Sequence, residues 1–168
     1  MGDVVGGEFT GGGDLPYPSR TPVGLLGADF SIEAGRYRLE KIYKGENWNP
    51  RLRAPLSGPG IDVQEGDFLL AVNGVELDSS MNPYSLFEET ADKQTVLTLN
   101  DKPVMKGSRE VTVEPAFSDF SLRLKSWIEG NRNKVEELSG GRLAYVWLPD
   151  TGFGGYNFFN RYYFAQQD

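Results

Sequence analysis

The chain has 168 residues, 39% of them hydrophobic and 12% aromatic, which is enough apolar material to build the core of one domain. Its formal net charge is -7, so phosphate backbones would repel it and nucleic acid is not an expected partner. The absence of histidine and cysteine excludes disulfides, thiol chemistry and a Ser-His-Asp triad built from this chain alone. Because no apolar run is long enough to span a bilayer, a membrane is not an expected partner either.

The N-terminal part predicts a flexible segment followed by a strand. Residues 1–19 are rich in glycine and proline, a composition that favours a mobile lead-in. The sequence RYRLEKIY then alternates apolar and polar side chains, as a half-buried strand does. Tyr37 and Leu39 lie on the apolar face, and we expect Lys41 or Tyr43 to continue it. The following sequence NPRLRAPLSGPG limits any helix to a short turn.

Turn and cap signals divide the middle of the chain into strands and one short helix. The apolar run FLLAV is followed by Asn73 and Gly74, the dipeptide best suited to a tight hairpin. Asn82 and Pro83 fit the N-cap and the first position of a short helix within residues 82–90. The β-branched runs TVLTLN and REVTV predict two further strands with a loop between them.

The C-terminal part predicts helices and then a strand, a turn and a helix. Residues 117–138 carry apolar side chains at helical spacing, with a break expected at Gly130 and a stop at Gly140. Residues 142–168 predict a strand, a glycine turn and an aromatic helix. A strand and helix of this kind need a parallel neighbour to cover their apolar edge, so we expect the chain to stop inside a second domain.

The order of these elements resembles that of a PDZ domain, and one motif supports the resemblance. In GIDVQEGDFLLAVNGVEL, residues 60–77, a glycine, a Gly-Asp pair and an L-x-V-N-G sequence follow the pattern of PDZ domains in bacterial and archaeal proteases. The loop GLLGADF, residues 24–30, precedes the first strand. The resemblance implies an α+β fold, with a small PDZ-like β-barrel and two short helices. A helix and a strand-helix piece of an incomplete protease core subdomain would follow.

The flanking segments resemble the tricorn-type serine proteases of the C-terminal-processing group. The segments that carry this resemblance are GGGDLP, KIYKGENWNPRLRAPLSGPGIDVQEGD and AYVWLPDTGFGGYNFFNRYYFAQQ. The resemblance implies that residues 1–19 lie at the edge of a protease core and that residues 20–115 form the PDZ domain. It also implies a helical connector over residues 116–140 and the start of a second core subdomain over residues 141–168.

The PDZ resemblance implies a peptide groove beside the glycine loop. Main-chain N–H groups of such a loop capture a peptide carboxylate, while the peptide pairs with the next strand. The alternative is that the loop only closes the barrel and binds nothing. The resemblance assigns the following residues to the groove: Leu26, Gly27, Ala28, Phe30, Ile32, Tyr84 and Phe87.

Catalytic residues are not expected in this chain. The family's catalytic histidine aligns near Gly7, and its nucleophilic serine is expected beyond the last residue, so the chain alone is expected to be inactive. Gly152 matches a glycine that contributes an oxyanion-hole amide in the family; a simple strand-to-helix turn is the alternative. Asp62, Glu65 and Asp67 lack the spacing of a calcium loop, so neither a metal nor a cofactor is expected.

We therefore expect a PDZ-containing fragment of a tricorn-like serine peptidase that binds, positions or gates peptide substrates for the intact enzyme. The expected partners are peptide or unfolded-protein C-termini and the remaining protease domains, in a parent that forms a homo-oligomer. Two alternatives stay open: a module that braces the protease subdomains without binding peptide, and a free-standing PDZ adaptor. The sequence leaves the compartment, cytoplasmic or periplasmic, undecided.

Overall fold

The computed structural model describes residues 21–46 and 48–166, and the predicted lead-in of residues 1–19 lies outside them. One antiparallel sheet contains six strands: β1 (Ala28–Glu33), β2 (Arg36–Ile42), β3 (Phe68–Val72), β4 (Val75–Glu76), β5 (Thr95–Asn100) and β6 (Arg109–Val113). The helices are two 3-10 helices between strands and two α-helices after the sheet: Pro50–Leu52, Pro83–Phe87, α1 (Phe120–Ser139) and α2 (Phe153–Phe164). The α+β class expected from the sequence is confirmed.

The order of the strands leaves β1 at one edge of the sheet. The order is β1-β2-β3-β5-β6, and β4 pairs with β3 as the second arm of a hairpin. The segment before β1 reaches the far side of the sheet, because Leu25 bridges Ala116 beyond β6. Val23 bridges Glu88, just after the second 3-10 helix. These bridges give the sheet the barrel-like closure expected of a PDZ-like fold.

Tight turns lie where the sequence predicts them. Asn73 and Gly74 join β3 to β4 with φ angles of 49° and 78°, the left-handed values of a type I′ turn. The side chain of Asn73 also accepts the N–H of Val96 at 2.9 Å, which fixes the turn against β5. Ala34 and Gly35 form the β1–β2 turn with φ angles of 50° and 74°.

A β-bulge decides which side chains of β2 face the core. The pairing of β1 with β2 shifts by one residue between Asp29 and Phe30. The shift turns Ile42 inward, where it is 9% exposed. The prediction that Lys41 or Tyr43 continues the apolar face is therefore wrong, because simple alternation does not count the extra residue of a bulge.

The core lies against the inner face of the curled sheet. Strand β3 is buried along its whole length, as its uninterrupted apolar run indicates. Phe87, which was assigned to the peptide groove, is only 2% exposed and packs in this core instead. The other large members of the core are mostly leucines: Leu39, Leu56, Leu69, Leu77, Leu97 and Leu99.

Helix α1 is continuous, so the break predicted at Gly130 does not occur. A glycine inside a helix costs about 1 kcal/mol relative to alanine, but it need not end the helix. The predicted stop at Gly140 is confirmed, since this residue has the left-handed φ of 60° and ψ of 40° of a C-terminal cap. No helix within residues 21–46 and 48–166 combines the length and the apolar character needed to cross a membrane.

Residues 142–149 do not form the predicted strand. The N–H of Tyr145 donates to Oε1 of Gln166 at 3.3 Å, and its C=O accepts from Nε2 of the same side chain at 3.2 Å. A side-chain amide just after α2 thereby satisfies main-chain groups that a neighbouring strand would otherwise pair. The aromatic helix predicted after the glycine turn is present as α2.

Candidate functional site

The glycine loop, residues 24–28, lies between the sheet and α1. At Gly24, an added Cβ would lie 2.6 Å from Cβ of Pro115, so the backbone packs too closely for a side chain. Gly27 has a φ of +68°, and its Cβ would lie 2.9 Å from Cδ1 of Leu122. The two glycines therefore serve different purposes: close packing beyond β6 for the first, and a left-handed backbone under α1 for the second.

The structure brings the three predicted donors of this loop together, but it buries them. Leu26 and Ala28 are 5% and 4% exposed, and Gly27 is buried between them. Among the described residues, none accepts a hydrogen bond from the N–H of Leu26 or Gly27. The main-chain N–H of Tyr43 donates to the C=O of Gly27 at 2.8 Å, one residue before the pair of Ala28 with Ile42. In an antiparallel ladder, this pattern turns the N–H and C=O of Ala28 away from β2. The loop therefore has the unpaired donors that an anion needs, but no open access.

Two residues near the start of α1 close this end of the groove. Leu122 is 1% exposed and packs its Cδ1 against Gly27. Nη2 of Arg123 donates to the C=O of Ala28 at 3.2 Å, and Nη1 donates to Oδ1 of Asp29 at 2.6 Å. A peptide pairing with this part of β1 would compete with Arg123 for the carbonyl of Ala28.

Arg123 is the centre of a polar cluster that attaches α1 to the sheet. Its Nε lies 2.7 Å from Oδ2 of Asp119, and its guanidinium lies 4.6 Å from the ring centre of Tyr43. The hydroxyl of Tyr43 donates to Oδ2 of Asp29 at 2.8 Å. Partial burial by itself raises the pKa of Asp29, but hydrogen bonds from Arg123 and Tyr43 hold that pKa below its ordinary value. The same hydrogen bond, together with burial, raises the pKa of Tyr43.

Further along β1, the edge of the sheet is open. Leu39 of β2 is the register partner of Phe30, but its main chain faces away from β1. Its N–H donates to the C=O of Asp67, and its C=O accepts from the N–H of Gly66. The N–H and C=O of Phe30 therefore point outward, and by alternation those of Ile32 do as well. The side chain of Ile32 is 59% exposed. The contacts of Arg123 with β1 are made at Ala28 and Asp29, which precede this part of the strand.

The second 3-10 helix carries Tyr84, the predicted groove residue outside β1 and the glycine loop that is not buried in the core. Its N-cap is Asn82, whose side chain accepts the N–H of Tyr84 at 3.1 Å, as the sequence predicts. Tyr84 is 43% exposed and therefore accessible to a ligand. Tyr37 links β1 to the segment before this helix, since its ring meets that of Phe30 edge-on at 6.1 Å and its hydroxyl donates to the C=O of Met81 at 2.8 Å.

Gly152, the predicted oxyanion-hole donor, lies in the turn that starts α2. Its N–H donates to Oδ1 of Asp150 at 2.8 Å, and the same oxygen accepts the N–H of Gly155 at 2.9 Å. Asp150 thus caps the first turn of α2. A catalytic role for Gly152 stays a prediction, and it requires that the hydrogen bond to Asp150 be released.

The acidic residues before β3 have structural partners. Asp67 forms a salt bridge with Arg109, whose Nε also lies 3.6 Å from Oδ2 of Asp62. Glu65 accepts the N–H of Ile42 at 2.9 Å. These contacts attach the loop before β3 to β6 and β2. In the part of the chain that the structure describes, no group of three or more acidic side chains could hold a metal ion.

The sequence contains no signal for the covering of the glycine loop by α1. Arg123 and Asp119 are four residues apart, a spacing visible in any helix. Asp29, however, is 94 residues from Arg123, and nothing local pairs the two. Leu122 has the appearance of an ordinary helical core residue. The sequence therefore did not predict the residues that cover the glycine loop, and the role of its N–H groups as donors stays a prediction.

The curled sheet, the glycine loop before its edge strand and the capped 3-10 helix opposite define a PDZ-type domain, here continued by a helix that packs on the loop. The sequence profile of the family described as Tricorn protease PDZ domain matches residues 24–118. The chain belongs to this family.

Individual relatives agree with this assignment. The chain is 38% identical over 135 residues to Tricorn protease homolog 1 of Streptomyces coelicolor. The aligned region covers 79% of this chain and 12% of that protein. It is 30% identical over 157 residues to the tricorn protease of Thermoplasma acidophilum, and the aligned region covers 94% of this chain and 14% of that protein. A crystal structure of the tricorn protease matches with a TM-score of 0.71 and 28% identity, over 84% of this chain and 14% of that one. The chain thus spans only 12 to 14% of the length of these relatives.

Proposed function

We propose that this region positions extended peptide segments for a tricorn-like serine peptidase of which it is one part. The observation that carries the proposal is the open edge of β1, where the main chain of Phe30 and Ile32 points outward. Main-chain hydrogen bonds to such an edge bind a peptide without requiring one sequence, and side chains at alternate positions add selectivity. Tyr84 on the second 3-10 helix is exposed and is proposed to contact such a peptide from the side opposite β1.

The covered glycine loop changes how a peptide enters the groove. Capture of a free C-terminus by Leu26, Gly27 and Ala28 requires Leu122 and Arg123 to move away, because these residues bury the loop. Pairing at Phe30 and Ile32 does not require this. The proposal therefore places internal, extended segments on β1 in the arrangement seen here, and chain ends only after α1 has moved.

Bracing of the protease subdomains is the second candidate function. The Arg123 cluster favours it, because three hydrogen-bonded or stacked partners outside the helix, Ala28, Asp29 and Tyr43, fasten α1 to the sheet. In this proposal, residues 20–115 and the connector of residues 116–140 act as one unit that holds the core subdomain starting at residue 141. The remaining protease domains, and further copies in an oligomer, are its partners. A free-standing adaptor is disfavoured by membership of a protease-associated family.

A peptide titration followed by NMR tests the first proposal against the second. The probe is an acetylated and amidated heptapeptide of alternating valine and lysine, which has no free carboxylate. We expect amide shifts at Phe30 and Ile32 and changes at the Tyr84 ring, with residues 26–28 unaffected. Shifts at residues 26–28 with a free-acid peptide would instead show capture of chain ends.

A proline variant makes this test specific. Ile32→Pro removes the outward N–H without removing a bond to β2, and edge strands tolerate such a proline. Binding should weaken at least tenfold, whereas Ile32→Ala, which keeps the N–H, should retain most of it. A folded sample that shows no shifts with any peptide leaves bracing as the function.

A further inference from the structure

A second concave surface lies on another face of α1, away from Leu122 and Arg123. It is a cleft of about 450 Å³, and it is lined by residues of the first 3-10 helix, α1 and α2. We call it the aromatic cleft, because five aromatic side chains line it: Trp48, Tyr145, Trp147, Phe158 and Tyr162. Nothing in the peptide groove uses these residues.

Three arginines from three different elements line the aromatic cleft. Arg51 comes from the first 3-10 helix, Arg132 from α1 and Arg161 from α2. Within residues 21–46 and 48–166, none of the three forms a salt bridge, although Arg161 lies 5.4 Å from the ring centre of Tyr162. Arginines that line one cleft without a paired carboxylate attract an anion.

The carboxylates of the cleft are already occupied by another cation. Nζ of Lys125 lies 3.5 Å from Oε1 of Glu46 and 3.4 Å from Oε1 of Glu129. These are the acidic side chains that line the cleft, so four cationic groups face two anionic ones. The cleft is therefore locally positive in a chain whose net charge is -7.

The aromatic wall supplies an apolar surface beside these charges. The ring of Trp147 meets that of Phe158 edge-on at 5.8 Å, and Phe158 lies 5.5 Å from Tyr162. The more exposed aromatic residues of α2, among them Phe153 at 80%, do not line the cleft. A ligand that fits this surface has an anionic group and an apolar body side by side.

We propose that the aromatic cleft binds the free carboxylate end of a peptide whose last side chain is aromatic or aliphatic. The guanidinium groups of Arg132 and Arg161 bind the carboxylate, and Trp147 and Phe158 contact the terminal side chain. The volume lies at the lower end of the range for ligand sites, so it accommodates one or two residues rather than a long segment. The choice of a peptide rests on the proposed function as part of a peptidase.

Tryptophan fluorescence measures this binding directly. Trp48 and Trp147 line the cleft and Trp127 does not, so the Trp127→Phe variant reports on the cleft. The probe is acetyl-Ala-Ala-Phe with a free carboxylate, compared with the same peptide as an amide. We expect a saturable change with the acid and at least tenfold weaker binding of the amide, because the amide loses the charge-assisted hydrogen bonds. Added salt should weaken binding of the acid.

Two single-charge variants of α1 form a matched pair. Arg132→Gln removes a guanidinium from the cleft, while Lys134→Gln removes one exposed charge from the same helix outside it. We expect Arg132→Gln to weaken binding of the acid about tenfold and Lys134→Gln to change it less than twofold. Circular dichroism establishes that both variants retain the helix.

Several results would overturn the inference. Equal binding of acid and amide would do so, as would unchanged binding by Arg132→Gln. Absence of both a fluorescence change and calorimetric heat at millimolar peptide would also overturn it. Dimer formation that buries Trp48 and Trp147 would assign the cleft to a second copy of the chain instead. Ile32→Pro separates this proposal from the one that extended peptides pair with β1. The variant loses the N–H used for pairing with β1, but its aromatic cleft is unchanged, so binding of the acid peptide in the cleft should persist.

Discussion

Replacement of Gly24 by alanine is expected to lower the free energy of unfolding by about 3 kcal/mol, the upper end for overpacking of a core. The new Cβ would lie 2.6 Å from Cβ of Pro115 and would also meet Oγ1 of Thr90 and the main-chain N of Ala91. Pro115 is fully buried and cannot move aside without disturbing the bridge beyond β6. Urea unfolding measures the loss, which corresponds to a drop in Tm of about 6–12 °C for a chain of this size.

Gly130→Ala is the control for this prediction. Gly130 lies inside α1, and an added Cβ would meet nothing within 4 Å. The alanine should therefore stabilise the protein by about 0.5–1 kcal/mol through helix propensity. The two glycine-to-alanine changes are thus expected to have opposite signs. A Gly24→Ala variant as stable as the starting protein would contradict the close packing of the glycine loop.

Replacement of Arg123 by methionine is expected to lower the free energy of unfolding by about 2 kcal/mol. This value lies between those for exposed and buried ion pairs, because Asp119 is 12% exposed whereas Arg123 and Asp29 are 37% and 39% exposed. Methionine retains most of the apolar stem, so the loss reports on the polar contacts. Amide hydrogen exchange should also become faster at residues 26–28, because α1 is then held less firmly against the glycine loop and exposes it more often.

Arg123→Lys provides the comparison for the methionine variant. Lysine keeps the charge, but it lacks the planar fork that reaches Ala28, Asp29 and Asp119 together. We expect about half of the methionine loss. Unchanged stability and unchanged exchange in Arg123→Met would show that Leu122 alone holds α1 on the loop, and the role given to the polar cluster would be wrong.

The contribution of the Arg123 cluster should depend on pH in the acid range. The pKa of Asp29 is lower in the folded protein than in the unfolded chain, where it is about 3.9. The folded state therefore binds fewer protons, and the stabilisation is complete above the unfolded pKa and lost as the pH falls through the folded pKa. The stability difference between the starting protein and Arg123→Met should be constant from about pH 5 to 7 and shrink below about pH 4. Urea unfolding at three pH values measures it, and a difference that grows on acidification would contradict this assignment.

The sequence by itself determined the features that depend on neighbouring residues. The hairpin at Asn73 and Gly74, the cap at Asn82 and the helix stop at Gly140 all formed where the sequence predicts them. Each rests on a backbone preference or a cap that involves residues within one turn. The family could also be recognised from sequence, because its motif lies in one continuous stretch. The proposal of a peptide groove at Phe30 and Ile32 began there.

Only the tertiary structure decided what surrounds these features. The bulge between Asp29 and Phe30 set the inward side of β2, and no local pattern predicts it. Phe87 entered the core instead of lining the groove. Above all, a sequence can show that Gly27 allows a left-handed backbone, but not that Leu122, packed from a distant helix, fills the space above it. Burial and ion pairing depend on which segments meet in the folded chain, and that is a property of the whole packing rather than of any short stretch.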